Sequence, residues 1–419
     1  MVLTPQQAHT EAERCLYCFD APCTDACPVH IDIPKFIAMI RSGNVIGAAE
    51  VVKTAHALAN VCGKLCPEEV FCQSVCNRAK QDEPIMIREL HFFATQQEAK
   101  RGYSPLRSFS KNGKTVAVIG AGPAGLGCAF ELVKLGCEVH VYDGKGFGGV
   151  PRNSIPAFRL SDDELRSDIE FLSPHFHSHQ MIVDAKAFER IRRQYDAVFV
   201  GVGLGMDKHL GIPGEHLPGV LPVVEFLERA KRNGFRNGLP KRVVIVGGGN
   251  VSLDAATTAK RFGAKDVVLM YRRSETEMKV WRSELEEAKK QSVQFQFLTS
   301  PVEVIGDDHV VGLRCRRNRL TDERDASGRA IPMEIEGSDF VLDADEIIIA
   351  IGQHIKSDFV NQFERTTQGY IKVDARFHTS LPGVFAGGDA VAGEGTIVQA
   401  VAQGKAAARQ IDEYLKKQL

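Results

Sequence analysis

Eight of the eleven cysteines fall between Cys15 and Cys76, in two tight groups. The first reads C-x2-C-x4-C-x3-C-P (Cys15, Cys18, Cys23, Cys27, Pro28) and the second C-x3-C-P-x4-C-x3-C (Cys62, Cys66, Pro67, Cys72, Cys76). Thiolates at such spacings converge on metal, so the segment is expected to fold around what its sulfurs hold. Disulfides are the competing use of paired cysteines. The chain opens Met-Val-Leu-Thr-Pro with no basic segment followed by an apolar stretch, so a cytoplasmic, reducing setting is expected and disulfides are disfavoured. Cys128, Cys137 and Cys315 stand alone, as buried packing residues do.

The length of 419 residues exceeds what one core fills, so about three domains are expected. The 52 basic residues against 53 acidic ones leave no basic stripe for nucleic acid. No apolar run reaches the roughly 18 residues of a membrane span. Within residues 1–105, Asp32 and Pro34 start a helix carrying Phe36, Ile37 and Ile40 that stops at Gly43. Another helix begins near Pro84 and carries Ile87, Leu90, His91 and Ala94. The polar stretch 102–113 reads as a linker.

Beyond it, strands and helices alternate. The strand Thr115 to Ile119 runs into Gly120-Ala121-Gly122-Pro123-Ala124-Gly125, then a helix to Leu135 and a strand ending at Asp143. In such a turn Gly120 makes the tight bend, Gly122 lets a pyrophosphate approach the backbone, and Gly125 lets helix and strand pack. The helix N-terminus offers unpaired N–H groups to the phosphates, and Asp143 is placed to bind a ribose hydroxyl. A second copy runs from Arg242 through Gly247-Gly248-Gly249-Asn250-Val251-Ser252 and ends in Arg272 and Arg273 instead of an acid. Arginines there suit the 2′-phosphate of NADP, so NADPH is slightly favoured over NADH. Near the C-terminus, Glu346 to Ile351 reads as a strand, and Val384-Phe385-Ala386 leads to Gly387-Gly388-Asp389 and a helix from Thr396. An aspartate at such a strand end binds the ribitol of FAD in flavin reductases, with the next helix aimed at the flavin.

The expected class is therefore α/β: a helical iron–sulfur domain (1–105) followed by two Rossmann-like domains. The NAD(P)H domain (206–345) is inserted between the two parts of a split FAD domain (114–205 and 346–419). Redox nucleotides also favour iron–sulfur clusters over zinc in the first domain, since zinc has no redox chemistry. The bacterial two-cluster ferredoxin run is related in form to the first cysteine group, although the middle gap here is longer.

The order of the cysteine array, G-A-G-P-A-G, I-P-A-F-R-L (Ile155 to Leu160), G-G-G-N-V-S-L-D, Y-R-R and F-A-G-G-D resembles the small subunit of bacterial glutamate synthase and its relatives. Among these is the N-terminal half of dihydropyrimidine dehydrogenase, and the compact length resembles most the form in which that half is a separate subunit. The resemblance runs from about Cys15 to Leu415. It implies one FAD, one NAD(P)H and two 4Fe-4S clusters, the first held by Cys15, Cys18, Cys23 and Cys76, the second by Cys27, Cys66, Cys72 and His91. Cys62 would be a non-ligand, although a count of cysteines alone gives two all-cysteine clusters. Gly149 and Arg159 join the flavin set with Gly388, Asp389 and Thr396. Val150-Pro151-Arg152, Ser161 and Met278-Lys279-Val280 depart from the family pattern.

The implied function is the electron-input subunit of a dihydropyrimidine dehydrogenase, in which NAD(P)H reduces the flavin and electrons leave through the clusters. The implied partner is an FMN and iron–sulfur subunit that reduces uracil or thymine. Alternatives are a glutamate synthase small subunit, an electron-bifurcating transhydrogenase subunit or, from a different class, a nucleotide-sensing scaffold with structural zinc. The cofactors carry the chemistry, so no catalytic acid–base residue is expected. Gly148-Gly149-Val150-Pro151 holds no cysteine, which disfavours a redox thiol pair at the flavin.

Overall fold

The computed structural model describes residues 2–101, 109–172, 176–182, 184–232, 234–235 and 238–417. Much of the expected linker, 102–108, lies outside them. The chain forms two compact units: 1–152 with 157–204 and 355–419, and 153–156 with 205–354.

The first unit opens with six helices, α1 (Pro5–Glu13), α2 (Pro22–Ala26), α3 (Ile33–Arg41), α4 (Val45–Ala55), α5 (Ala59–Leu65) and α6 (Ile87–Arg101). Asp32 caps α3 by accepting from Lys35 N at 3.2 Å, and Gly43 follows its end at φ +80°. Apolar residues three and four apart turn Phe36, Ile37 and Ile40 inward. The cysteine loops run between these helices.

β1 (Thr115–Ile119), α7 (Pro123–Lys134) and β2 (Glu138–Tyr142) form the first βαβ step. They are followed by α8 (Val150–Asn153), α9 (Asp162–Leu172), β3 (Phe176–His179), α10 (Ala185–Gln194) and β4 (Ala197–Val200). The chain then builds the second unit. There β5 (Gly205–Asp207), β6 (Val220–Pro222), α11 (Val223–Arg232), β7 (Arg242–Val246), α12 (Asn250–Arg261), β8 (Asp266–Met270), α13 (Arg282–Lys290) and β9 (Gln294–Gln296) come first. Next are β10 (Thr299–Gly306), β11 (Val310–Arg324), β12 (Ala330–Glu334), β13 (Phe340–Asp343), β14 (Glu346–Ile349) and β15 (Gln353–Ile355). Finally β16 (Val384–Ala386), α14 (Asp389–Ala392) and α15 (Ile397–Lys416) return to the first unit.

The first unit's sheet has the order β16-β4-β1-β2-β3 and is parallel throughout. Its strands β16, β4 and β1 are short apolar runs covered on both faces, as a parallel sheet requires, whereas β2 alternates and the edge strand β3 is largely exposed. The second unit's parallel sheet has the order β6-β14-β7-β8-β9. Here one boundary is corrected: the strand at 346–349, expected to open the second part of the FAD domain, hydrogen-bonds between β6 and β7 instead. The return to the first unit comes at Ile355. An antiparallel sheet, β10-β11-β12 with β13 on β11, also lies in the second unit. Among the described residues no helix is long and apolar enough to cross a membrane.

Candidate cofactor sites

Cys15, Cys18, Cys23 and Cys76 line one pocket, walled by Pro22, Ile33, Ile37 and Ile85. Two left-handed residues, Tyr17 at φ 50° and Ala21 at φ 40°, wrap the loop around it. Burial pushes the Cys23 thiol up to about 12, with Cys15 and Cys76 adding to the effect, and Cys15 is raised the same way. Thiolates crowded like this stay charged only against a metal cation. Asn77 Nδ2 donates to Cys18 Sγ at 3.5 Å.

Cys27, Cys66 and Cys72 form a second, deeper group. Burial pushes Cys66 up to about 12, with Cys27 and Glu68 adding to the effect, and raises Cys72 with Glu68, Cys66 and Cys27 adding to it. Cys62, one turn before Cys66 on α5, is fully buried beside Cys66, Asp168 and Cys27. His91 on α6 is buried too, and its Nε2 has no hydrogen-bond partner among the described residues. Its ring also makes a backbone hydrogen bond to Ala59, and burial pushes its pKa down to about 4, so the imidazole is neutral. A ligating histidine has this form: one nitrogen tied to a carbonyl, the other left for the metal. His56, which the motifs did not single out, lies beside it; its Nδ1 accepts from Leu58 N at 3.0 Å and its buried Nε2 is likewise without a partner.

Among the described residues no three cysteine sulfurs come within 4.8 Å of one another. Thiolates on one tetrahedral zinc, at ~2.3 Å from the metal, stand about 3.8 Å apart. The donor sets are soft thiolates, the ligands that iron–sulfur clusters take.

The flavin half of the first unit is built on the first glycine loop. Gly120, at φ +101°, and Gly125 have no room for a side chain, since a Cβ on either would strike backbone, at Gly201 and Gly120 respectively. Gly122 has nothing nearer than Gly149 Cα at 3.8 Å, which leaves its face open to a phosphate. Gly149, at φ +58°, could carry a Cβ only 2.6 Å from Gly122 Cα, and Gly148 N donates to Ala121 O at 2.8 Å. Asp143 stiffens this loop, its Oδ2 accepting from Ala121 N at 2.8 Å and its Oδ1 from Lys145 N at 2.7 Å. Arg159 lies half-buried between α8 and α9. Gly388, at φ +73°, brings the end of β16 against Ala124, and Gln403 Oε1 accepts from its N–H at 2.8 Å. Asp389 follows, with no hydrogen-bond partner for its carboxylate among the described residues, and burial pushes it up to about 7. Thr396 caps α15, accepting from Gln399 N at 3.2 Å. An open glycine face, an unpartnered carboxylate and two helix N-termini fit a dinucleotide.

In the second unit, Gly249 caps α12 and has open space around its Cα, while the Tyr271 ring fills the space beside Gly248. A Cβ on Gly247, at φ +156°, would strike Ala350 O. Asn250 Oδ1 accepts from Trp281 N at 2.9 Å, so its side chain holds the loop 278–281 beside the glycines. The two arginines part company. Arg272 is exposed and its guanidinium has no partner among the described residues. Arg273 is 2% exposed, with Nε on Ala330 O at 2.8 Å and Nη2 on Asp325 Oδ2 at 2.7 Å. Its expected contact with a 2′-phosphate is corrected: the side chain is committed to the wall of its own domain.

Motif reading missed the side chains that join the cluster helices to the flavin half. Asp168 of α9 is fully buried and accepts from Asn60 N at 3.1 Å and Val61 N at 2.9 Å, capping α5 from more than one hundred residues away. Lys405 of α15 donates to Val29 O at 3.1 Å and Ala55 O at 3.0 Å and faces Cys27. Nothing local marks either residue.

Comparison with known proteins gives two matching family descriptions: dihydropyrimidine dehydrogenase domain II, 4Fe-4S cluster, over residues 1–103, and pyridine nucleotide-disulphide oxidoreductase over 114–404. The NADP(+)-dependent formate dehydrogenase subunit beta of Moorella thermoacetica is 36% identical over 95% of this chain, which spans only 60% of that protein. The glutamate synthase [NADPH] small chain of Halomonas elongata is 35% identical, over 98% of this chain and 91% of its own. The NAD-dependent dihydropyrimidine dehydrogenase subunit PreT of Escherichia coli K12 is also 35% identical, over 97% and 94%. Among solved structures, FprA from Mycobacterium tuberculosis matches 73% of this chain and 85% of its own with a TM-score of 0.61 at 20% identity, a likeness of fold.

Proposed function

Because the chain belongs to the pyridine nucleotide-disulphide oxidoreductase family and carries the 4Fe-4S domain of dihydropyrimidine dehydrogenase at its N-terminus, we propose that it is the electron-input subunit of a dihydropyrimidine dehydrogenase. It oxidises NAD(P)H with FAD and passes electrons through two 4Fe-4S clusters to a partner subunit that reduces uracil or thymine. The observation that carries this reading is the single compact unit formed by the cysteine helices and the flavin half, pinned by Asp168 and Lys405. The similarity to PreT along nearly the whole of both chains supports the choice of partner.

Flavin, when bound, links a two-electron donor to one-electron carriers. The chain's own residues do the positioning. Gly122 and the first turn of α7 take the pyrophosphate, with Asp143 at the ribose and Asp389 at the ribitol. The N-terminus of α15 lies ready for negative charge on the ring. Cys15, Cys18, Cys23 and Cys76 hold one cluster. Cys27, Cys66, Cys72 and His91 hold the other, and the unpartnered Nε2 of His91 supports it over Cys62. In the second unit Gly249 and the start of α12 take the nicotinamide nucleotide, with Arg272 free to meet a 2′-phosphate, which favours NADPH.

A glutamate synthase small chain is the second reading, supported by equal identity over comparable lengths. Anaerobic assay of the isolated chain tests the first. The protein should be yellow-brown and oxidise NAD(P)H with an artificial acceptor, but reduce uracil only once an FMN and iron–sulfur subunit is added. Uracil reduction by this chain alone would overturn the subunit reading, and a glutamate-forming partner on co-purification would favour the second.

A further inference from the structure

At the far edge of the flavin sheet, strand alternation gathers a set of donors that the proposed function does not use. Residues two apart on a strand share a face, so Glu138 and His140 of β2 point the same way. His177 of the edge strand β3 pairs directly with His140 in the parallel register, and His179 with Tyr142, which places both histidines on that face. The His140 and His177 rings stack with centroids 4.5 Å apart. Glu138 Oε1 stands 3.2 Å from His140 Nε2 and 3.6 Å from His177 Nε2. All three donors lie within 4.8 Å of one another.

From this geometry we propose that Glu138, His140 and His177 form an accessory site for a divalent transition cation of the zinc type. Two imidazoles and a carboxylate suit zinc rather than magnesium or calcium, which take oxygen donors. Zinc holds such ligands at ~2.0–2.2 Å, which sets tetrahedral ligand–ligand edges at about 3.4 Å. The two edges at 3.2 and 3.6 Å bracket that value, and since the His140 and His177 rings stack, binding would turn them until both in-plane Nε2 lone pairs meet at the ion. The fourth position faces solvent, because the His177 side chain is more than half exposed. His179 acts as a positioning residue: His140 Nδ1 and His179 Nε2 are 2.9 Å apart, so with its Nε2 on the metal His140 would donate Nδ1–H to His179. The His179 ring is held in turn by stacking on Tyr142. A bound ion would tie β2 to the open edge strand and so protect that edge.

Zinc chloride alone is titrated calorimetrically into chelator-washed, cluster- and flavin-loaded protein, with iron and flavin content measured on every variant. The parent should take up one equivalent that His177→Ala and Glu138→Gln weaken at least tenfold with iron and flavin unchanged. His179→Phe should weaken it by roughly ten- to hundredfold, the usual effect of losing such a hydrogen-bonded neighbour. Zinc held by cluster cysteines would be indifferent to these changes. No uptake by the parent, or a loss smaller than tenfold in His177→Ala and Glu138→Gln, would overturn the proposal.

Discussion

Gly127→Ala should destabilise the first unit although alanine is the better helix former. In an exposed helix the exchange gains about 1 kcal/mol. Here Gly127 sits where α7 crosses α15, and a Cβ on it would lie 2.6 Å from Val401 O and 3.0 Å from Val401 Cα. A relaxed carbon–oxygen contact is ~3.3 Å, so the helices must part by roughly 0.7 Å. The obstacle is backbone, which cannot rotate away, and Gly404 on the facing side is packed as closely against Ala124 and Cys128. Overpacking of this kind costs about 1–3 kcal/mol; against unyielding backbone the upper part of that range, about 2–3 kcal/mol, applies, and less the propensity gain it leaves a net loss of about 1–2 kcal/mol. A melting temperature lower by roughly 2–8 °C follows. Both helices present their first turns to the proposed flavin site, so flavin should also be lost more readily on dilution. Scanning calorimetry and the flavin-to-protein ratio measure both. An unchanged or raised melting temperature with full flavin would refute the reasoning, because it would mean that the crossing has slack.

His91→Ala should lower iron content and alter one cluster's low-temperature EPR signal while Cys62→Ser leaves both clusters intact; the reverse pattern would return the fourth ligand to the cysteine. Arg272→Glu should shift kcat/KM from NADPH toward NADH by about tenfold, the low end for a charge-assisted contact because the side chain is exposed. Arg273→Ala should instead lower the stability of the second unit with little change in nucleotide ratio, measured by thermal unfolding and the same kinetics. Burial raises Asp168 from 3.8 in the unfolded chain to about 7. The folded state therefore binds this proton more tightly, and its contribution, full below the unfolded value, is lost as pH rises through 7, by at most about 4 kcal/mol. Denaturant titrations from acid to neutral pH should show that loss, and Asp168→Asn should flatten it.

Where partners sit close in sequence, the reading was local and legible. The Asp32 cap and the Gly43 stop of α3 are defined within eleven residues, and both glycine loops fall at the starts of α7 and α12 because strand, turn and helix are consecutive. The strand at 346–349 shows the limit. An apolar β-branched run announces a buried strand, but any parallel sheet accepts such a run, and only pairing with Val243 to Val246 decides which one does. The antiparallel strands β10 to β13 escaped notice because their half-exposed pattern is weak and β11 is bent by register shifts.

Arg272 and Arg273 make the same point at the level of single side chains. The two are neighbours in the bend just past β8, yet Arg272 is exposed and Arg273 buried. Which one turns inward is decided by Asp325 and Ala330, more than fifty residues on, whose carboxylate and carbonyl draw Arg273 into the wall. Asp168 follows the same logic on the other unit. An aspartate inside an amphipathic helix reads as a solvated charge until α5 places two bare N–H groups against it, and then it joins the cysteine helix to the flavin half. Spacing can therefore nominate donors for a cofactor site. The residues that fix those donors in place are selected by contact across the fold, and a single sequence carries no mark of that contact.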